Sequence, residues 1–501
     1  MNKYYHSNFE GFKSIKPSKF FAIVIICSIA NPIFAQVKPL TINWKTPTFT
    51  SNTTPTLQVV VNPMLKRGAS IHQSSFQALK EMEADYVRFV PWFPYPKAAV
   101  VELKEPTKTE TFWDFQYADP IVEDFMSATK GHPVVMNFST IPVWMFKNPK
   151  PVIYPEDPDL PFWEYNQGKE LRDPTFKEVA NYFARLFSWY TKGGFTDELG
   201  KFHASKYHYK FDYWEVLNEP DLEHKISPEL YTKIYDAVVL ELKKIAPETK
   251  FIGISVALET NPQWFEHFLN PANHKSGVPL DGISYHFYGR PASKNQTIDS
   301  YQYSFFDQAN GFLDRVRYIE NIRKRLAPKT ITHINEIGNI LENRDFKGVI
   351  PEDYWNLSGA MFAYIFVELS KIGIEVAGES QLVGYPTQFP DVSMMNWKNG
   401  KPNARYWALK LLKENFGVGD KLYTANSNNP EIIAQAYITK AGKRILLINK
   451  TNKEMTLPLT ELNGAKFETV DVTTGDNPIA KGEIKGDLFV VKPFAVTVIK
   501  L

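Results

Sequence analysis

Between Thr56 and Ala377 the chain alternates short apolar runs with stretches of helical period, and few folds accommodate that rhythm. The β-type runs are 56–61, 86–90, 132–138, 211–217, 250–256, 282–287, 331–334 and 373–377, each bounded by turn residues or by proline. Amphipathic segments lie between them. One is marked by Phe76, Leu79 and Met82, another by Ile121, Phe125 and Met126. A striped segment covers 176–190, and further helices are expected near 312–326 and 357–369. The segment after Ser227 is the best defined. Ser227 can cap it, Pro228 suits the first helical position, and Leu230, Ile234, Val238, Leu242 and Ile245 share one face. Eight strand–helix repeats predict an α/β fold, a parallel (β/α)8 TIM barrel.

After Leu412 the pattern changes. Short β-type runs at 432–438, 444–448, 467–472, 488–491 and 495–499 are separated by turns such as Asn463-Gly464, which predicts a C-terminal antiparallel β-sandwich. The chain therefore divides into a signal segment (1–35), an extended Thr/Pro/Asn-rich lead-in able to pair with the sandwich (36–55), the barrel (56–412) and the sandwich (413–501). No flexible linker separates the last two, so the sandwich is expected to buttress the barrel. At the N-terminus Lys13, Lys16 and Lys19 precede the apolar stretch Phe20 to Ala30, and Ala35 offers a small residue before Gln36. This is a secretory signal pattern, too short to span a bilayer. Cys27, the only cysteine, lies inside it behind Ile26, a poor residue for lipid attachment. The mature chain is then expected to be exported, periplasmic or secreted, free of the membrane, and without a disulfide or thiolate metal site.

With 57 basic against 55 acidic residues and no long run of one sign, the electrostatic footprint of a nucleic-acid binder is absent. The 10 histidines are scattered, with no HExxH pair, and no Gly-rich phosphate loop occurs, so neither a metal nor another cofactor is expected. Aromatic residues make up 14% of the chain, which suits a large core or the stacking of rings on sugars.

The fourth apolar run ends in Asn218-Glu219-Pro220-Asp221, and the seventh runs into Asn335-Glu336. In a barrel of this kind reactive groups sit at the C-terminal ends of strands. Two such glutamates are what glycoside hydrolysis needs, one to protonate the leaving oxygen and one to attack the sugar. Glu379, after the eighth run, is the rival for the second role.

Trp214-Glu215-Val216-Leu217-Asn218-Glu219-Pro220-Asp221 resembles the acid/base motif of the clan A retaining glycoside hydrolases, and is most similar to that of family 39, the β-xylosidase and α-L-iduronidase type. Asn396-Trp397 followed by Pro402, Ala404 and Tyr406-Trp407 resembles that clan's passage from the last barrel helix to the sandwich. The segment His333 to Gly338 departs from the clan's more usual nucleophile patterns, which leaves the sugar open. The resemblance implies Glu219 as acid/base, Glu336 as nucleophile, and Asn218 as the partner of the sugar 2-hydroxyl. His286, Tyr288 and Arg88 are expected to hold the glutamates, or to be core residues. Trp92, Trp144 and Trp397 are candidates for a sugar platform, and Asn137 for a site role. The expected partner is an oligosaccharide or other glycoside, with a neutral sugar of the β-xyloside type as the default. A uronic-acid glycosidase, which would need a cation such as Arg88, Arg290 or Arg344, and a non-catalytic carbohydrate-binding protein are the alternatives. The loop 149–174 is expected to wall the pocket.

Overall fold

The computed structural model describes residues 38–501 except 148–151, 166–167, 294–295, 342–349 and 387. The signal segment with Cys27, Arg344 and parts of the loop 149–174 lie outside the described residues. Strand β1 (Thr41–Thr50) leads in. Parallel strands then close a barrel in chain order: β2 (Thr54–Val60), β3 (Val87–Val90) and β4 (Val134–Met136) come first. A hairpin of β5 (Gly194–Thr196) and β6 (Phe202–Ala204) intervenes. The barrel resumes with β7 (Tyr213–Glu215), β8 (Lys250–Val256), β9 (Gly282–Gly289), β10 (Ile331–Asn339) and β11 (Val376–Glu379), which pairs back onto β2. These eight are the eight apolar runs of the sequence.

The strands read as apolar because both of their faces are buried. Leu57, Val59, Phe89, Met136, Trp214, Phe251, Ile283 and Ile334 join one core with the surrounding helices. Trp214 is 1% exposed, with its ring centroid 5.8 Å from that of Phe138 and 5.4 Å from that of Phe187. Intervening positions carry the polar residues Gln58, Arg88, Glu215 and Ser284, all buried and bonded to one another across the barrel. The outer positions hold the barrel to its helices, and the inner ones build the site.

The Ser227 cap is present: its hydroxyl accepts from Leu230 N at 3.3 Å, and the helix Pro228–Ile245 follows. Helix Ile298–Leu326 begins well before the expected 312, because Asp307, Gln308, Asn310 and Gly311 interrupt its apolar stripe. Helix Glu352–Ile372 is buried on nearly every side, so it also extends past the expected 357–369. Helix Ala404–Asn415 closes the barrel. No helix of the described residues is long and apolar enough to cross a membrane.

The C-terminal strands are β12 (Lys421–Asn426), β13 (Ile432–Thr439), β14 (Gly442–Asn449), β15 (Met455–Pro458), β16 (Lys466–Val470), β17 (Ala480–Glu483), β18 (Leu488–Val491) and β19 (Val496–Lys500). A seven-stranded antiparallel sheet has the order β1-β12-β13-β14-β19-β16-β17, and β15 pairs with β18. Alternation along β14 assigns its faces. Ile445 and Leu447 pack with Leu457, Phe489 and Val491 of the small sheet, whereas Leu446 and Ile448 join the barrel's core. The sheet is thus the middle layer of a sandwich whose third layer is the barrel's own helices. Polar ties cross the same junction, from Asn415 Nδ2 to Glu468 at 3.3 Å and from Trp407 Nε1 to Asp476 O at 3.2 Å.

Candidate active site

Glu219 does not sit on a regular strand end. Strand β7 stops at Glu215, and the chain bends through Leu217 (φ 61°) and Glu219 (φ 40°), two non-glycine residues in the left-handed region. On β8, Ile254 (φ 76°) and Ser255 (φ 49°) bulge in turn. Such residues cost about 1–3 kcal/mol each and persist only where neighbours over-determine them. Here Tyr231, buried on helix Pro228–Ile245, donates its hydroxyl to Val216 O (2.8 Å) and accepts from Ile254 N (2.7 Å), while Glu219 N donates to Ser255 O (2.8 Å). The distorted segments are pinned together, with Asn218 and Glu219 turned over the barrel mouth.

A second bulge aims Glu336. In the pairing of β10 with β9, Ile334 lies opposite Tyr285 and Glu336 opposite His286, which leaves Asn335 as the extra residue. A regular strand would send successive side chains to opposite faces. The bulge sends both inward: Asn335 Nδ2 donates to Glu215 (2.8 Å), and Glu336 reaches Arg88 and Tyr288. Strand β10 continues past Glu336 to Asn339, so this glutamate lies within the strand, not at its end.

Arg88 organises the interior. It lies in the middle of β3 and not at its end, 1% exposed. Its Nε donates to Glu215 (2.5 Å), Nη1 to Glu336 (2.5 Å) and Gln58 (2.8 Å), and Nη2 to Asn218 Oδ1 (2.6 Å) and Ser255 (3.1 Å). Glu215, fully buried, also accepts from Ser284 (2.5 Å) and Asn137. His286 Nδ1 lies 2.9 Å from Glu219 and 3.5 Å from Glu336, with Ser255 at its other nitrogen (3.2 Å). Tyr288 donates to Glu336 Oε2 at 2.6 Å and meets Ser380 at 2.7 Å.

The two carboxyls thus have opposite surroundings. Burial raises the pKa of Glu219, and the nearby Glu336 charge adds to this, so His286 only partly offsets it and the group stays above the usual carboxylate range. Burial acts on Glu336 as well, but His286, Arg88 and Tyr288 together outweigh it and hold the group below that range. Burial would lower His286, yet its two glutamate neighbours raise it. One oxygen from each glutamate and a His286 nitrogen lie within 4.8 Å of one another. Those three atoms are also the site's candidate ligands for a metal ion, where a cation would compete with Arg88 for Glu336. The side chains of Glu219 and Glu336 are 13% and 8% exposed, enough to meet a ligand at the mouth.

Of the residues singled out from sequence, Glu219, Glu336, Asn218, Arg88, His286, Tyr288 and Asn137 belong to this one network. Trp92 joins through Glu223, which accepts from its Nε1 at 2.7 Å. Trp144 donates to Glu102 O (2.9 Å) and lies under the Arg172 guanidinium (4.8 Å), and Trp397 is partly buried against the core. Among the described residues, neither has a hydrogen bond or ring contact to the network. Glu379 is bonded to Arg405 Nε (2.8 Å), and among the described residues it has no hydrogen bond to the pair. Sequence reading missed Gln58, Glu215, Ser255, Ser284, Asn335 and Ser380. Polar residues interrupting doubly buried strands were the signal available for most of them.

No protein-family model and no curated protein matches the chain. Solved structures do. A GH51 arabinofuranosidase from Xanthomonas axonopodis pv. citri aligns with a TM-score of 0.63 at 12% identity. A GH39 β-xylosidase from Caulobacter crescentus gives 0.57 at 13%, and a GH30 endoxylanase from Clostridium papyrosolvens C71 gives 0.54 at 11%. Each alignment covers 92% of this chain and 99% of the other. At these identities the likeness is one of fold, a barrel with an attached β-sandwich that is found here in glycoside hydrolases of three families.

Proposed function

We propose that the chain is an exported retaining glycoside hydrolase acting on neutral sugars. The observation that carries the reading is the pair Glu219 and Glu336, whose oxygens approach within 4.8 Å from opposite electrostatic settings. Retaining enzymes hold their carboxyls about 5–5.5 Å apart, and inverting enzymes leave about 6.5–9.5 Å for a water. Glu336, ionised, attacks the anomeric carbon while Glu219, protonated, gives its proton to the departing oxygen. A covalent glycosyl-enzyme forms. Glu219, now a base, takes a proton from water, which attacks the same carbon and restores the original anomeric configuration. Asn218 donates to the 2-hydroxyl, a contact that strengthens as positive charge develops on the ring.

A neutral sugar is favoured because the two cationic groups touching the pair, Arg88 and His286, are already committed to Glu215, Glu336 and Glu219. The arabinofuranosidase, xylosidase and xylanase of like fold make pentosides the first substrates to try. Export rests on the apolar segment Phe20 to Ala30 behind its lysines. A panel of aryl glycosides, headed by β-D-xyloside and α-L-arabinofuranoside, tests the activity, with NMR of the first-formed product to read its configuration. Turnover with retention is expected. An inverted product removes the double displacement, and inactivity across the panel removes the enzyme reading.

A further inference from the structure

Glu223 takes no part in the chemistry above, yet one of its oxygens joins two residues of the site. Oε1 accepts the indole N–H of Trp92 at 2.7 Å and an Nδ2–H of Asn218 at 2.8 Å. The backbone that brings it there is the turn of π-helix Pro220–His224, immediately after Glu219. Leu222 N and Glu223 N both return to Glu219 O, at 2.9 and 2.7 Å, so the chain folds Glu223 back over Asn218. Wide turns of this kind are rare and gather at functional sites.

The consequence for Asn218 is specific. Its Oδ1 receives Arg88 Nη2 at 2.6 Å, and its Nδ2 faces Glu223. Guanidinium has no acceptor and carboxylate has no donor, so the two ends of the amide cannot exchange places. One Nδ2–H goes to Glu223 and one is left. Trp92 is held in the same way from several sides, with Phe93, Trp163 and Phe389 at ring-centroid distances of 5.0, 5.3 and 6.1 Å and Glu223 at its N–H. Trp163 comes from the loop after β4, the strand next to β7, and Phe389 from the loop after β11 across the barrel, so Glu223 ties the loop after β7 to an aromatic cluster drawn from several strand ends.

We infer that Glu223 is a positioning residue for the sugar. With Arg88 holding the oxygen end, it fixes the plane in which the Asn218 amide nitrogen meets the 2-hydroxyl, and it sets where the Trp92 ring stands. The sugar half of this inference rests on the glycosidase reading, whereas the lock on Asn218 and Trp92 does not. Without Glu223 the amide keeps its bond to Arg88 but is free to swing its nitrogen away, so the loss should fall on substrates that carry a 2-hydroxyl.

Glu223→Ala and Glu223→Gln test this in the full-length mature chain. The measurements are kcat and KM on an accepted aryl glycoside and on its 2-deoxy counterpart, with the Trp92 indole 15N–1H resonance assigned through Trp92→Phe. Glu223→Ala should lose about 30-fold in kcat/KM on the 2-hydroxy glycoside, mostly in kcat, and less than about threefold on the 2-deoxy glycoside. Glu223→Gln keeps an acceptor oxygen and should recover to within about fivefold of wild type. The Trp92 resonance should shift in the alanine variant. Equal losses on both glycosides, or no loss on either, overturn the positioning role. A Trp92 resonance that stays in place overturns the lock. If the wild type cleaves no glycoside, the glycosidase reading falls and takes the sugar half with it, and the resonance still decides the lock.

Discussion

Two buried glutamate–arginine pairs sit about one strand apart in this barrel, and their surroundings differ. Glu336 pairs with Arg88 inside the barrel, and Glu379 pairs with Arg405 at the neighbouring strand. Both carboxyls are buried, and both bond to a guanidinium that is 1% exposed. Their surroundings pull them in opposite directions. Glu336 has Arg88, His286 and Tyr288, which overcome burial and keep it ionised. Glu379 has Arg405 alone, burial dominates, and its pKa rises to about 7. Arg88 is held on every nitrogen by five side chains, whereas Arg405 spends Nη2 on the backbone carbonyl of Ser380. Desolvation of a carboxylate exceeds what a single cation returns unless further donors complete the shell. A charged pair therefore marks a reactive site only when other donors hold its charge and a second titratable group faces it.

The largest break in this comparison is Glu336→Ala. Activity should fall roughly ten-thousand-fold or more and return with azide as a glycosyl azide of inverted configuration. The same measurement on Glu379→Gln should show almost no loss. Glu219→Ala comes next: hydrolysis of poor leaving groups should fall about 10²–10⁴-fold, while activated aryl leaving groups still support formation of the glycosyl-enzyme. A loss that ignores the leaving group would remove Glu219 from the acid role. Arg88→Lys keeps a charge but loses the fork, so kcat/KM should drop about 100-fold. Because Glu336 then has fewer donors, its pKa rises, and the acid limb of the pH profile should move to higher pH. An unmoved limb would mean that Arg88 does not hold the nucleophile. In the wild type the proposed roles predict an acid limb set by Glu336, below the usual carboxylate range, and an alkaline limb set by Glu219, above it.

Much of the barrel was legible because its strands are buried on both faces and so stand out as apolar runs. Helix Glu352–Ile372 was harder to read, since burial between barrel and sheet erases the stripe that marks an ordinary surface helix. In the site, the adjacency of Asn218 and Glu219 could be read directly. The bulge at Asn335 could not, because a bulge is defined by the partner strand: only the pairing of Glu336 with His286 shows that two successive residues face inward. Glu215 lay in plain view within the motif, but its donors are Arg88, Ser284 and Asn335 from three other strands and Asn137 just past a fourth. The tryptophans differ for the same reason. Trp92 and Trp144 both follow barrel strands, and what separates them is the carboxylate that turns back to meet one indole and the backbone carbonyl that holds the other.

The smallest effect on activity should come from Glu379→Gln, and it tests the other half of the comparison. A carboxyl whose folded pKa lies above its unfolded value binds its proton more tightly in the native state. Its contribution to stability is complete below the unfolded pKa, near 4.5, and is lost as pH rises through the folded value, near 7. For a fully buried group a shift of this size corresponds to about 3 kcal/mol. Asp391, 1% exposed and also pushed to about 7, works in the same direction over the same window. Stability of the wild type, measured by urea titration, should therefore decline between about pH 4.5 and 7. In Glu379→Gln, which keeps the shape and cannot ionise, the decline should shrink and leave the part due to Asp391 and to other buried carboxyls pushed up, such as Glu102, while kcat stays within about twofold of wild type. An unchanged slope would mean that Arg405 keeps Glu379 ionised throughout, as Arg88 and its companions do for Glu336, and the contrast between the two pairs would then lie in geometry alone.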